Sequence, residues 1–313
     1  MYLLNCVKQA DCGLYNVAES GDSMKKIILD TDLGSDCDDA GAIAILHNLE
    51  DTGEAQILGM THCASEITGA ISLFAINEYY NKKDIPGGQF QDYPFLEGGI
   101  NVRFTKPVSE DYLKDHSMPK IENATKLLRR LLAENQEVTL VSIGMLNNIK
   151  NLIKSMPDEE SPLDGVQLIK RSVKELYVMG GNFRDLEDAE YNIKCDTESA
   201  IYVAENFPSP IVYAGFELGE GIMTGGNLKK RPENPIARMY HIRVGDKLRE
   251  SWDPITVYCA IRDKSGLFKK SDRKGISFDE TGRVRLSEGD KDCFLLFAED
   301  CDKIRDEIDS LMY

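Results

Sequence analysis

With 313 residues and 42% hydrophobic content, the chain can bury a sizeable core, as one large domain or two modest ones. Its formal net charge is −16. Such a surface repels phosphate backbones, which argues against nucleic-acid binding and favours a cation or a neutral, polar small molecule. No stretch is apolar for long enough to span a bilayer, and Lys8, Asp11 and Asp22 interrupt the apolar start, so neither a membrane anchor nor a signal peptide is expected. The eight cysteines include no C-x-x-C pair. In a chain of this size they read as reduced thiols of a cytoplasmic protein.

Residues 1–23 have a mixed pattern and read as a loose N-terminal extension; residues 24–313 read as one domain. Lys26 to Leu29 is a short apolar strand ending in acid. Asp39 to Leu49 has apolar residues at helical spacing, Gln56 to Thr61 is a second strand, and Ile67 to Tyr80 a second helix. Pro86, Gly87 and Gly88 mark a loop. Asn123 to Glu134 is a Leu-rich helix. Val138 to Ile143 is a nearly continuous apolar strand, of the kind covered on both faces. Leu146 to Ser155 follows as a helix and Glu175 to Met179 as a strand. Asp196 can cap a helix running to Asn206, and Ile211 to Ala214 is one more strand. Pro235 to Ile261 reads as mostly helical, and Thr281-Gly282 as the turn of a hairpin over Gly275 to Leu286. The alternation predicts an α/β fold, an open, mostly parallel sheet with helices on both faces.

The densest chemistry follows the first strand. Residues 30–39 read Asp-Thr-Asp-Leu-Gly-Ser-Asp-Cys-Asp-Asp, five carboxylates between a strand and a helix. In a parallel sheet this is the strand end where ligands bind. A helix cap needs one acid, not five, and so many like charges need a cation. Oxygen ligands point to calcium or magnesium, and calcium tolerates this crowding better. An EF-hand would want Gly at its sixth position and Glu at its twelfth; Ser35 and Gly41 stand there. A magnesium-dependent phosphohydrolase with Asp30 as nucleophile and Asp32 as acid is a rival, but it would want a basic residue nearby.

Asp30-Thr31-Asp32-Leu33-Gly34 with Asp38-Asp39-Ala40 resembles the signature of the inosine-uridine preferring nucleoside hydrolases. So do Gly144-Met145-Leu146-Asn147-Asn148, Met179-Gly180-Gly181-Asn182, Glu190-Tyr191-Asn192 and Ser251-Trp252-Asp253-Pro254, in the family's order. Gly215-Phe216-Glu217-Leu218-Gly219 looks like members that have the Trp-Asp-Pro form. The resemblance implies an open parallel α/β fold, hydrolysis of ribonucleosides to ribose and free base in nucleoside catabolism and salvage, a bound calcium, and a homodimer or homotetramer.

Carried over by residue, the resemblance makes Asp32 a calcium ligand and general base, taking a proton from a water held by the metal. Asp39, Asp253 and the backbone carbonyl of Asn147 would complete the ligands. Asp38, Asn182, Glu190 and Asn192 would bind ribose, and Asp30 would orient the cluster. Turn and cap chemistry would equally explain Asn182, Glu190 and Asn192, or Asp253 before Pro254. Two departures bear on substrate. Glu66 lies near a typical Asn position, and Trp252 stands where members often carry a His that protonates the base. Tyr240 and His241 are then the expected leaving-group acids, with Tyr191 another choice, and Trp252 can stack on a base or simply pack. The two extra residues of the acidic loop leave Asp36 and Asp38 both open as the sugar contact. A catalytically silent nucleoside- or sugar-binding protein is the third reading.

Overall fold

The computed structural model describes residues 24–313; the expected extension over residues 1–23 lies outside the described residues. The chain opens with β1 (Lys25–Thr31), α1 (Asp38–Asp51), β2 (Ala55–His62), α2 (Ile67–Tyr79) and β3 (Gly87–Gln89). It continues through α3 (Thr105–Asp115), β4 (Ile121–Asn123), α4 (Ala124–Glu134), β5 (Val138–Ser142), α5 (Asn147–Lys154) and α6 (Gly165–Ser172). Then come β6 (Val173–Met179), α7 (Tyr191–Cys195), α8 (Thr197–Asn206), β7 (Ile211–Ala214), α9 (Phe216–Gly219) and β8 (Met223–Thr224). The last part holds α10 (Pro235–Val244), β9 (Arg249–Glu250), α11 (Trp252–Ile261), β10 (Phe268–Lys270), β11 (Lys274–Phe278), β12 (Val284–Phe297) and α12 (Cys301–Leu311).

The main sheet has the order β10-β12-β7-β6-β5-β1-β2-β3-β4, with β11 paired to β12. All neighbours from β12 to β4 are parallel, and β10 and β11 join β12 antiparallel. The expected open, mostly parallel α/β sheet is therefore what the chain forms. Side chains alternate between its faces. Ile27 and Leu29 of β1 pack in one core with Ile43, Leu46 and Ile255. Ile28 belongs to the opposite core, with Leu128, Leu152 and Phe207. From β1 the chain steps outward through β2, β3 and β4, then returns to place β5 on the other side of β1. At that reversal the loops after β1 and β5 diverge and leave a crevice at the carboxyl ends.

Three expectations change. Gly87 and Gly88 lie in β3 and not in a loop; a Cβ on Gly87 would come within 2.5 Å of the Phe74 ring, so these glycines serve close packing. The stretch 235–261 is two helices, because Gly245 leaves α10 with φ +63° and β9 then pairs with β8. The hairpin at Gly282 forms, but β12 runs on past it and joins the sheet beside β7. Helices α3, α6 and α12 were not expected, although Asp164 with Gln167 caps α6 and Asp300 caps α12.

Below the sheet, Arg129 of α4 is buried, 1% exposed. It donates to both carboxylate oxygens of Asp158 at 2.8 Å, to the Ser155 hydroxyl at 2.8 Å and to the Ser161 and Leu163 carbonyls at 3.0 Å. A buried guanidinium with its donors satisfied holds the 155–163 loop to α4. Replacing Arg129 with Met should lower unfolding stability by about 3 kcal/mol in urea titration, since the partners lose their donors. A change below about 0.5 kcal/mol would show that water replaces those bonds.

Candidate active site

The acidic turn lies in the crevice, and its carboxylates divide into struts and lining. Asp30 is a strut: its carboxylate accepts from the Thr61 hydroxyl at 2.6 Å and the Asn148 amide at 2.8 Å, tying β1 to β2 and α5. Burial pushes its pKa up to about 7. The Thr31 hydroxyl donates to Asp39 and accepts from the Leu33 N–H at 3.1 Å, which shapes the turn. Asp32 accepts from the Ser35 hydroxyl at 2.6 Å. A Cβ on Gly144, after β5, would sit 2.8 Å from the Asp32 nitrogen, so a glycine lets that loop come this close.

Asp38 and Asp39 occupy the first turn of α1, and Asp253 the first turn of α11. Helix N-termini carry partial positive charge and favour carboxylates. One oxygen from each of Asp38, Asp39 and Asp253 lies within 4.8 Å of the others, and all three residues are buried. The Asp253 N–H also donates to Asp38 at 3.3 Å. Ser251 precedes α11, so Asp253 lies inside the helix and is not its cap. The trio holds Asp38 beside the expected Asp39 and Asp253, and Asp32 stands close enough for its charge to act on Asp39 and Asp253. Asp32 still lines the same cavity. Asp36 lines the cavity too, with its carboxylate accepting from Arg249 and Arg243.

The cavity has a volume of about 300 Å³. Of the expected residues, Asp32, Asp38, Asp39, Glu190, Asn192, Trp252 and Asp253 line it. Glu190 also caps α7, accepting from the Asn192 and Ile193 N–H groups at 2.8 and 3.1 Å, so cap and lining are one residue. Trp252 stacks on Phe216, with centroids 5.5 Å apart, and donates to the Phe216 carbonyl at 2.8 Å.

Five expected residues do not line it. Glu66 caps α2 and accepts from the Gly98 N–H at 3.0 Å. Asn182 accepts from the Asp185 N–H at 2.9 Å, closing its own loop. Asn147 donates to the Cys63 carbonyl at 2.8 Å. Tyr240 is buried behind α1, where a Cβ on Gly41 would lie 2.3 Å from its hydroxyl. His241 is exposed, and both face a different cavity. The expected leaving-group acids are thus turned away by the packing of α10. Tyr191, the other candidate acid, does line the site, as do Phe216, Arg243 and Arg249. Tyr191 and the Phe216 segment stood in family-like motifs; the two arginines had no sequence signal.

Residues 27–290 match the family model of the inosine-uridine preferring nucleoside hydrolases. The chain belongs to that family. Over 228 residues it is 28% identical to an Escherichia coli protein named non-specific ribonucleoside hydrolase RihC, covering 69% of each chain. Its fold is similar to an inosine-uridine preferring nucleoside hydrolase from Bacillus anthracis, with a TM-score of 0.69 at 16% identity, over 92% of this chain and 99% of that one. It is also similar to a plant nucleoside hydrolase, PpNRh1, with a TM-score of 0.68 at 18% identity, over 92% and 97%. At these identities the solved structures speak for the fold alone. As a nucleoside hydrolase the chain is an enzyme of ribonucleoside hydrolysis, in a metal-dependent family, and its buried aspartates can hold a metal. Among the described residues no helix is long and apolar enough to cross a membrane, and the six described cysteines are free.

Electrostatics support a cation. Burial lifts Asp32 to about 6. Burial, with the Asp36 charge added, lifts Asp38 to about 8. Burial and then the neighbouring carboxylates hold Asp39 and Asp253 well above the carboxylate range. Burial lifts Glu190 to about 7 against the backbone donors of Asn192, Ile193 and Gly181. In the unfolded chain these groups ionise near pH ~4. Without a cation the folded state therefore holds extra protons between pH ~4 and ~8, and loses stability as pH rises through that window. A divalent cation displaces those protons and restores stability most where they are hardest to keep. The rise in Tm on adding calcium to chelated nucleoside hydrolase should be larger near pH ~8 than near pH ~5. Equal rises at both would show that the carboxylates do not take the cation.

Proposed function

We propose that the chain cleaves the N-glycosidic bond of ribonucleosides with a calcium ion held at Asp38, Asp39 and Asp253 and with Asp32 as general base. The observation that carries this reading is the convergence of those three buried carboxylates beside Asp32 in one cavity. An all-oxygen set of this charge suits a hard cation, and three carboxylates suit calcium better than magnesium. When bound, the ion would supply positive charge that acidifies a neighbouring water and holds sugar hydroxyls.

Asp32 would take one proton from the attacking water. The water oxygen bonds to the anomeric carbon, and the carbon–nitrogen electron pair leaves with the base. Its position close to the other carboxylates helps offset the positive charge that builds on the ribose ring. Glu190 and Asn192 would bind ribose hydroxyls. The Trp252–Phe216 stack forms an aromatic wall for the leaving base. Tyr191 lines the cavity and brings a phenol hydroxyl that can hand the base a proton, in place of Tyr240 and His241. The phosphohydrolase rival is less favoured, since its nucleophile Asp30 is bonded to Thr61 and Asn148 and does not line the cavity.

Ribose release from purine and pyrimidine nucleosides, followed with a reducing-sugar assay, is the test. At least one nucleoside should be turned over, chelation should stop the reaction, and Asp32→Asn should lower kcat by about 10²- to 10⁴-fold. Wild-type kcat in the Asn variant would remove Asp32 as the base. Binding of nucleosides without release of ribose would leave the silent binding protein as the reading.

A further inference from the structure

Two guanidinium groups stand at one end of this otherwise acidic cavity. Arg243 comes from the last turn of α10 and Arg249 from β9. Asp36, from the loop after β1, sits between them. It accepts from Arg249 Nε at 3.0 Å and Nη2 at 2.6 Å, and from Arg243 Nη2 at 3.3 Å. All three line the cavity. Arg249 is further held over the Trp252 ring, 5.0 Å from its centroid, and pairs with Glu250.

The two arginines are not equivalent. Arg249 already takes both Asp36 oxygens in a two-pronged bond and has a second carboxylate in Glu250. That pairing alone would pin the loop. Arg243 adds one longer bond, and its Nε is buried with no partner. A buried guanidinium donor without an acceptor is costly. A neutral nucleoside gives no reason to keep a second cation there. A planar or tetrahedral oxyanion does, because it can accept several N–H groups from the guanidinium edge.

We propose that Arg243, braced by the Arg249–Asp36 pair, is an anion subsite, so that the substrate is a ribosyl compound carrying a carboxylate or phosphate group. This substrate class rests on the hydrolase reading of the cavity above. The incoming oxyanion takes the terminal N–H groups of Arg243, of which Nη2 makes only the one long bond, and leaves Asp36 on Arg249. Its charge is then met by a guanidinium that shares a single carboxylate with its neighbour. The anion belongs either to the leaving base or to the sugar's 5′ position.

Uridine, orotidine (the same nucleoside with a carboxylate on the base) and uridine 5′-monophosphate separate these cases. With wild-type enzyme and calcium, kcat/KM for one anionic compound should exceed that for uridine by about tenfold or more. Orotidine in the lead places the anion on the leaving base; the monophosphate in the lead places it on the sugar. Arg243→Gln should lower the ratio of that compound to uridine by about tenfold. Uridine outperforming both anionic compounds would overturn the proposal, as would an Arg243→Gln variant that slows all three equally. Equilibrium dissociation constants for the same compounds with Asp32→Asn enzyme provide a readout free of turnover. If no compound releases its free sugar (ribose, or ribose 5-phosphate from the monophosphate), the hydrolase reading fails; the anion subsite then stands on tighter binding of an anionic compound than of uridine, and falls if uridine binds as well.

Discussion

The structure turns on a repulsion that the fold itself creates. Two helices, α1 and α11, point their N-termini at the same spot beneath the switch point of the sheet, and each delivers buried aspartate there. Helix-end charge offsets part of the cost, but only within the first turn and only in part. Three carboxylates with oxygens within 4.8 Å, taken out of water, must hold protons or a cation. Everything else at the site is arranged around that demand. Thr31 steadies Asp39, Ser35 steadies Asp32, and the Gly144 loop closes down beside them. Asp30 takes no part in the lining and braces the strands beneath it.

The same demand explains why this part of the site was legible in the sequence. Five acids in ten residues cannot be a cap, and strand-then-helix patterning puts them at a strand end. The alternation of elements likewise carries the sheet's parallel character, since each strand must be covered on both faces. Legibility fails where orientation depends on packing across the core. Tyr240 and His241 sit on a real helix close to the acids in sequence order and in space. Yet α10 presents Tyr240 to Gly41 behind α1 and leaves His241 at the surface. Glu66 and Asn182 fail for another reason: their side chains already satisfy backbone N–H groups of their own loops. Arg243 and Arg249 were hidden because the 235–261 stretch reads as one helix. The break at Gly245, which brings both arginines to the cavity, depends on a β8–β9 pairing too short to leave a pattern.

The two ends of the cavity therefore obey different rules. The aspartate end is specified by charge density, since its three buried carboxylates call for protons or a cation. The rest of the cavity is specified by shape and by a few donors. Here it carries an indole bonded to the Phe216 carbonyl, a tyrosine hydroxyl and a guanidinium pair. The indole N–H is already satisfied, so Trp252 offers a ring face and no proton. A guanidinium does not give up its proton either. Where the anion it meets is on the leaving base, it lowers the barrier to departure by meeting negative charge as it develops, which is worth most in a site shielded from water.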